Sequence, residues 1–435
     1  MKRVLVVSYF YPPFSSVGAT RVSKMTRYLR DSGWESHVLT VDRCDLPETL
    51  SLEVAPEAIS RAPTLFDLAV LPRVLIGRRR LSQGRANTSQ PWYGGALWRA
   101  GEIYRHLVCF PDAQIGWWRS AVRQGVELTQ RLRPDVILSS SLPNTSHLVA
   151  RSIAARTGVP WVAELRDLWT RNHNFQRVQP LRMLEERMER SVLGKATALV
   201  TVSDEWAAQL KDAFNRPTFV VPNGYDPTDY PPPTPGRSDV FSLVYTGMFY
   251  NGKQSVDPLF AGVRALADAG RITPARFQVQ FVGQYLAPIR ARAEAYGVLP
   301  FTSIDPPIPY RDSLARQSAA TALLFLDWSA PSAEGWYSAK IYEYLGAGRP
   351  VLAVGNDDTV VSRLLERTKA GIACSTGDAV AKTLDDWLTE FEATGALAYA
   401  AEACQRQQFQ RQHTARLMAD VLDHAAGIGR QQALA

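Results

Sequence analysis

Residues 334–355 read EGWYSAKIYEYLGAGRPVLAVG. Ser338 is a suitable cap for a helix start, Gly346 and Gly348 punctuate its end, and Pro350 opens the apolar run PVLAVG as a buried parallel strand. A short helix feeding such a strand is one repeat of an α/β layer. Two charges sit within that helix, Lys340 and Glu343. At this spacing they are surface neighbours, and a helix ion pair of this kind stabilises by roughly 0.2–0.5 kcal/mol. The placement has a second reading. The helix start offers unpaired amides, the positive end of the dipole and Lys340 in its first turn, a combination that suits phosphate.

Working outward, the same alternation fills the chain. RVLVVSYF, SHVLTV, DVILSSS, WVAEL and TALVTVS read as strands of a first series, separated by amphipathic stretches such as TRVSKMTRYLRDSG and SHLVARSIAARTG that end at glycine. A fresh series begins with FSLVYTG and continues through FQVQFVG, TALLFLD and PVLAVG, with DPLFAGVRALADAG among its helices. Between the two lies VVPNGYDPTDYPPPTPGRSD, residues 220–239, whose prolines can continue neither a helix nor a central strand. The expected fold is α/β, two Rossmann-like doubly wound domains facing across a cleft, with ligands at the carboxyl ends of the strands. The expected boundaries are 1–222 for the first domain, 223–237 for a linker, 238–396 for the second domain, and 397–435 for C-terminal helices free to pack back on the first domain or on the second.

Composition narrows the class. At 435 residues the chain exceeds one ordinary hydrophobic core, which again predicts two domains. Hydrophobic residues at 46% and charged residues at 21% describe a folded protein, and a net charge of +7 fits an anionic partner without choosing one. Cys44, Cys109, Cys374 and Cys404 are far apart, with no histidine at ligand spacing, so neither a zinc site nor a disulfide framework is expected, and a reducing cytoplasm fits. The opening MKRVLVVSYFYPPF is too short, too aromatic and too broken by Pro12 and Pro13 for a secretion signal, and no run approaches a membrane span. An ordinary dinucleotide enzyme is disfavoured, because the turn SYFYPPFSSVGATR holds a single Gly18 and no G-x-G-x-x-G; no Walker phosphate loop is present.

Several stretches together carry a resemblance: YFYPPFSSVGATR, VAELRDLWT, TVSDEWAAQLK, VVPNGYD, VYTGMFYNGK and SAKIYEYLGAGRPVLAVG. In this order, over nearly the whole chain, they resemble a GT-B glycosyltransferase of the retaining family 4 group, the type that builds bacterial surface polysaccharide. The resemblance implies a nucleotide-sugar donor held mainly by the second domain, an acceptor held mainly by the first, and transfer without a metal or other cofactor. It implies that Glu343 accepts hydrogen bonds from the ribose hydroxyls, as an acceptor-only carboxylate can. It places Ser338, Ala339 and Lys340 on the donor phosphates, with Gly247 at the strand end and Lys253 as the further cation, since the site of a nearer basic residue in relatives is Met248. Cations are needed because breaking the sugar–diphosphate bond builds negative charge on a phosphate oxygen. A solvated loop lysine is the other reading of Lys253. Many relatives carry a glutamate at the position of Gly335; here Glu334 stands one step away, as a catalytic candidate by a shifted loop, with the backbone amides of that loop as the alternative.

In the first domain, relatives often place a histidine near the strand end where this chain has Glu164, Arg166 and Asp167. The resemblance makes these catalytic candidates, Asp167 to position or deprotonate the acceptor hydroxyl and Arg166 to hold a phosphate; the alternative is a structural Arg166–Asp167 salt bridge. Gly18 is expected either to let backbone approach the donor phosphates or simply to make a turn. His147 begins a helix and is expected to cap or pack. Residues 61–123 combine Arg78, Arg79 and Arg80 with Trp92, Trp98, Trp117, Trp118 and further arginines. This mixture suits peripheral contact with anionic lipid, with core aromatics under a rim of arginines as the other reading. No nucleic-acid module accompanies it, so no nucleic-acid partner is expected. The expected activity is sugar transfer to an acceptor hydroxyl, with a lipid-linked saccharide as acceptor, in the cytoplasm or at the inner membrane face. The alternatives are a nucleotide-sugar 2-epimerase of the same fold and a non-catalytic nucleotide-sugar binder.

Overall fold

The computed structural model describes residues 1–68, 107–172, 177–231, 239–328, 335 and 337–434, with side chains omitted at 403–404 and 428–434. The described residues divide into two compact units. One runs to Asn223 and resumes at Arg411, and the other is Gly224–Gln410.

The first unit is built on a seven-stranded, all-parallel sheet of β1 (Lys2–Val7), β2 (Trp34–Val41), β3 (Ile59–Ala62), β4 (Val136–Ser141), β5 (Trp161–Leu165), β6 (Ala198–Thr201) and β7 (Thr218–Val220). Their spatial order is β3-β2-β1-β4-β5-β6-β7. Central strands buried on both faces explain the continuous apolar runs VLVV and VIL in the sequence. Helix Val17–Leu29 leaves β1 with Ser16 as its N-cap, Oγ accepting from the amide of Ala19 at 3.0 Å. Helix Arg411–Leu434 packs Met418, Leu422 and Ala425 in the same core as Val4, Val6 and Leu138, and Asp423 pins it through Trp34 Nε1 at 3.0 Å.

The second unit repeats the plan with six parallel strands, β8 (Phe241–Met248), β9 (Phe277–Gln284), β10 (Thr302–Asp305), β11 (Ala322–Leu326), β12 (Val351–Val354) and β13 (Gly371–Cys374), in the order β10-β9-β8-β11-β12-β13. One face packs Phe241, Leu243 and Phe281 with residues of helices Asp257–Asp268 and Gly377–Thr394; the other packs Leu323 and Phe325 with Ile341 and Leu345 of helix Ala339–Ala347. The chain passes between units at Asn223–Gly224 and again at Gln410–Arg411, so two stretches differ from the boundaries read from sequence. Tyr225, inside the expected linker, is buried and donates its amide to Phe409 at 2.9 Å, and Phe409 in turn packs against Tyr342 at 5.3 Å between ring centroids. These contacts bind the start of the linker and the stretch before Arg411 into the second core.

Candidate functional site

In the second sheet the direction of winding reverses between β8 and β11, and ligands of open α/β sheets bind beyond the carboxyl ends of strands at such a point. Helix Ala339–Ala347 brings its start to that place. Ser338 caps it, Oγ accepting from the Lys340 amide at 3.4 Å. The Lys340 side chain reaches the end of β8, where Nζ stands 3.8 Å from the centroid of the Tyr245 ring. Gly247 has a φ of +123°, so the backbone demands glycine there, and a Cβ would lie 2.8 Å from Lys340 Cε and 2.9 Å from Nζ, pushing the end of that side chain aside. The side chain is only partly exposed, and burial pushes the Lys340 ammonium down to about 7, with the Glu343 charge opposing the shift. Among the described residues Lys340 forms no ion pair, so the helix pairing with Glu343 is not made. An aromatic face is a weaker partner for a cation than an anion. Lys340 is therefore held poorly solvated where an anion has much to gain from it.

Glu343 is half-buried, one turn further along. Gln317, fully buried on helix Tyr310–Ala319, donates Nε2 to Glu343 Oε2 at 3.3 Å and to Thr246 Oγ1 at 2.9 Å, tying the carboxylate to β8. The Tyr230 hydroxyl donates to the Glu343 carbonyl at 2.8 Å. Lys253 lies in the loop after β8, its Nζ 4.3 Å from the Trp328 ring centroid. That loop is anchored by Gln254, which donates Nε2 to the Leu326 carbonyl at 2.6 Å and accepts from the Tyr250 amide at 2.9 Å. Lys253 thus packs on an aromatic and is not a freely solvated loop lysine. Over the ends of β8 and β9 opens a cavity of about 220 Å³, lined by Gly247, Met248, Gly283, Gln284, Pro307 and Ile308. Glu334 lies outside the described residues.

The first sheet reverses between β1 and β4. Glu164, a catalytic candidate from sequence, is instead a buried anchor. It is fully buried in β5, its Oε1 accepts from Arg21 Nη2 at 2.7 Å and Nε at 3.0 Å, and Oε2 accepts from Ser140 Oγ at 2.5 Å. Burial alone would raise its pKa; the Arg21 charge and the Ser140 hydrogen bond outweigh that and hold it below the ordinary range. Arg21 also donates to the carbonyls of Val221 at 2.8 Å and Pro222 at 2.7 Å, so this ion pair clasps the chain where it leaves the first unit. Arg166 and Asp167 do not pair with each other. Arg166 donates Nε to the Ser141 carbonyl at 2.5 Å and Nη2 to the Leu142 carbonyl at 3.2 Å, and its guanidinium fills the space beside Gly18, where a Cβ would sit 2.2 Å from Nη1. Gly18 therefore leaves room for the Arg166 guanidinium, which a Cβ there would force to shift. Asp167 keeps a raised pKa through burial, which the neighbouring Arg166 charge partly offsets. His147 is fully buried, bonded to Ser139 Oγ at 2.8 Å, and burial pushes it down to about 3, a neutral packing residue.

Of the arginine and tryptophan segment, Arg78–Arg80, Trp92 and Trp98 lie outside the described residues. Trp117 is fully buried edge-on against Tyr9 at 5.4 Å, and Trp118 donates Nε1 to Ser152 Oγ at 3.2 Å. These two are packing residues. Sequence reasoning passed over Arg21, Tyr245 and Gln317, each of which meets its partner across a long separation; the arginine inside the apolar-patterned helix TRVSKMTRYL was the one available signal.

Two Rossmann-like units with these strand orders define the GT-B class of α/β fold. Residues 18–224 match the family model of the glycosyl transferase 4-like domain. Among solved structures, Anabaena HepE in complex with UDP and glucose is similar at a TM-score of 0.60 and 14% identity, covering 98% of this chain and 100% of that one. A glycosyltransferase from Rickettsia africae aligns at a TM-score of 0.58 and 12% identity, covering 98% of each chain. Sucrose-phosphate synthase from Thermosynechococcus elongatus aligns at 0.55 and 13%, covering 99% of this chain and 98% of that one. At such identities the likeness is one of fold. A search of curated proteins found no match.

Proposed function

We propose that this chain is a glycosyltransferase that moves a sugar from a nucleotide-diphosphate donor to an acceptor hydroxyl, with retention at the anomeric carbon and without a metal. The observation that carries the reading is the half-buried Lys340, laid over Tyr245 beside Gly247 and one turn from Glu343, at the reversal point of the second sheet. Lys340 Nζ, the amides at the start of its helix and Lys253 receive the diphosphate. When the bond from sugar to diphosphate breaks, charge grows on the phosphate oxygen, and these preorganised donors lower the barrier. Glu343, aimed by Gln317, takes the ribose hydroxyls, and the cavity over β8 and β9 seats the base. UDP and UDP-glucose bound to Anabaena HepE favour a uridine nucleotide as the first donor to try.

In the first unit, Asp167 is the group proposed to take the acceptor proton, since a carboxyl with a raised pKa is suited to general base work, and Arg166 is proposed to hold an acceptor phosphate. Retention and a role in surface polysaccharide rest on the motif resemblance, as does a lipid-linked acceptor at the inner membrane face. No described helix is long and apolar enough to cross a membrane. The test is release of nucleoside diphosphate from a panel of nucleotide sugars with and without saccharide acceptors. Release that requires acceptor and yields a glycosylated product supports transfer; epimerised sugar without product, or binding without turnover for every donor and acceptor, contradicts it.

A further inference from the structure

Among the described residues, four that are not glycine hold a left-handed backbone: Arg133, Asn215, Lys369 and Tyr285. The first three each close a helix, following Leu132, Phe214 and Thr368, where that conformation is ordinary. Tyr285, with a φ of +59°, closes none. It forms, with Leu286, the whole connection from β9 to helix Ala287–Ala295. The chain is pinned on both sides of it. The Gln284 carbonyl accepts from the Phe249 amide at 3.1 Å, and Leu286 is buried, its carbonyl accepting from the Ile289 amide at 3.0 Å. A glycine would make this short turn without strain; a tyrosine does not. Yet the tyrosine is half exposed and makes no hydrogen bond, ion pair or ring contact among the described residues, so packing within the chain does not account for its ring.

Its neighbours do. Gln284, the preceding residue, lines the cavity over the ends of β8 and β9, and Met248 and Ile308 on the same lining are each 36% exposed. Gly247 and Gly283 present bare backbone to that cavity, against which a flat ring can lie. We propose that Tyr285 stacks on the nucleobase of the donor, covering the face turned away from the two glycines. This inference rests on the assignment of the cavity to the base in the sugar-transfer reading, and it names the side chain that holds the base there. Strained backbone at a bulky residue is retained where a site uses it.

Calorimetric titration of UDP and of ribose 5-phosphate, which has no base, into the full chain tests this beside thermal melting. Tyr285→Gly should weaken UDP by about 5- to 150-fold, the loss of one base–aromatic stack. It should hold ribose 5-phosphate as the wild type does, and melt at or above the wild type because the backbone strain is gone. Tyr285→Asn, also at ease in this backbone, should match the glycine variant, and Tyr285→Phe, which keeps the ring, should bind UDP as the wild type does. If the wild type binds UDP and the glycine and asparagine variants bind it equally well, or lose ribose 5-phosphate as heavily, this inference is overturned and the sugar-transfer reading stands. If the wild type binds none of UDP, ADP and GDP, the inference and that reading fall together.

Discussion

Replacing Lys340 by methionine should weaken nucleotide binding and strengthen the fold at once, an uncommon pairing that follows from where the ammonium sits. Methionine keeps most of the apolar stem over Tyr245 and removes the charge. Loss of a charge-assisted contact of about 1.5–3 kcal/mol weakens UDP binding by about 10- to 150-fold. Uridine, which lacks the diphosphate, should bind the variant as it binds the wild type. A lysine depressed to about 7 has its charged form disfavoured by up to about 5 kcal/mol if fully desolvated, a figure its partial exposure cuts to about 1–2 kcal/mol. Between pH about 7 and about 10 the unfolded lysine is protonated and the folded one is not, so this group makes stability rise with pH across that window. Below it the penalty is fully present. At pH 6 the variant should therefore resist urea better than the wild type, and its stability should climb less between pH 7 and 10. Calorimetric titration with UDP and uridine, beside urea unfolding at the two ends of the window, checks all of this. If the variant binds UDP normally, or loses uridine as heavily as UDP, the assignment of Lys340 to the diphosphate is wrong.

Glu343→Ala should weaken both UDP and uridine by about 10- to 100-fold, measured by titration, because it removes the proposed ribose acceptor; unchanged affinity with a lower melting temperature would leave Glu343 a structural residue. Wild-type affinity for UDP should fall as pH rises above about 7, with a proton taken up on binding that calorimetry in buffers of different ionisation enthalpy detects, and Lys340→Met should abolish that uptake. Arg21→Leu strands Glu164 as a buried unpaired anion and should cost about 3–5 kcal/mol in urea unfolding, while a loss under about 1 kcal/mol would mean the clasp is solvated. Gly18→Ala drives a methyl into the Arg166 guanidinium and should lower turnover while sparing UDP affinity, a split read from kcat beside the titrated Kd; equal turnover would show that the position of Arg166 is immaterial.

The central strands were legible because parallel strands buried on both faces read as unbroken apolar runs. The strands that escaped notice, β3, β7, β10 and β13, are the four sheet edges. Each has three or four residues and is partly exposed, so ISRA, TFV, TSID and GIAC carry too little apolar signal. At the candidate site, Lys340 and Glu343 could be picked out because capping, spacing and motif all sit within one short stretch. Their partners could not, since Tyr245 and Gln317 come from other segments and only folding brings them in. Glu164 misled for a related reason. A carboxylate at a strand end looks the same in sequence whether it meets solvent or, as here, a buried arginine 143 residues away.

The central claim is that the second sheet's reversal point holds a nucleoside diphosphate, and a crystal structure of the chain with bound UDP tests it most directly. The account predicts the diphosphate within hydrogen-bond reach of Lys340 Nζ, the ribose hydroxyls on the Glu343 carboxylate and the base over Gly247 and Gly283. UDP seated on the first sheet alone, or in the second unit with Lys340 still lying on Tyr245 and no phosphate against it, would contradict the account.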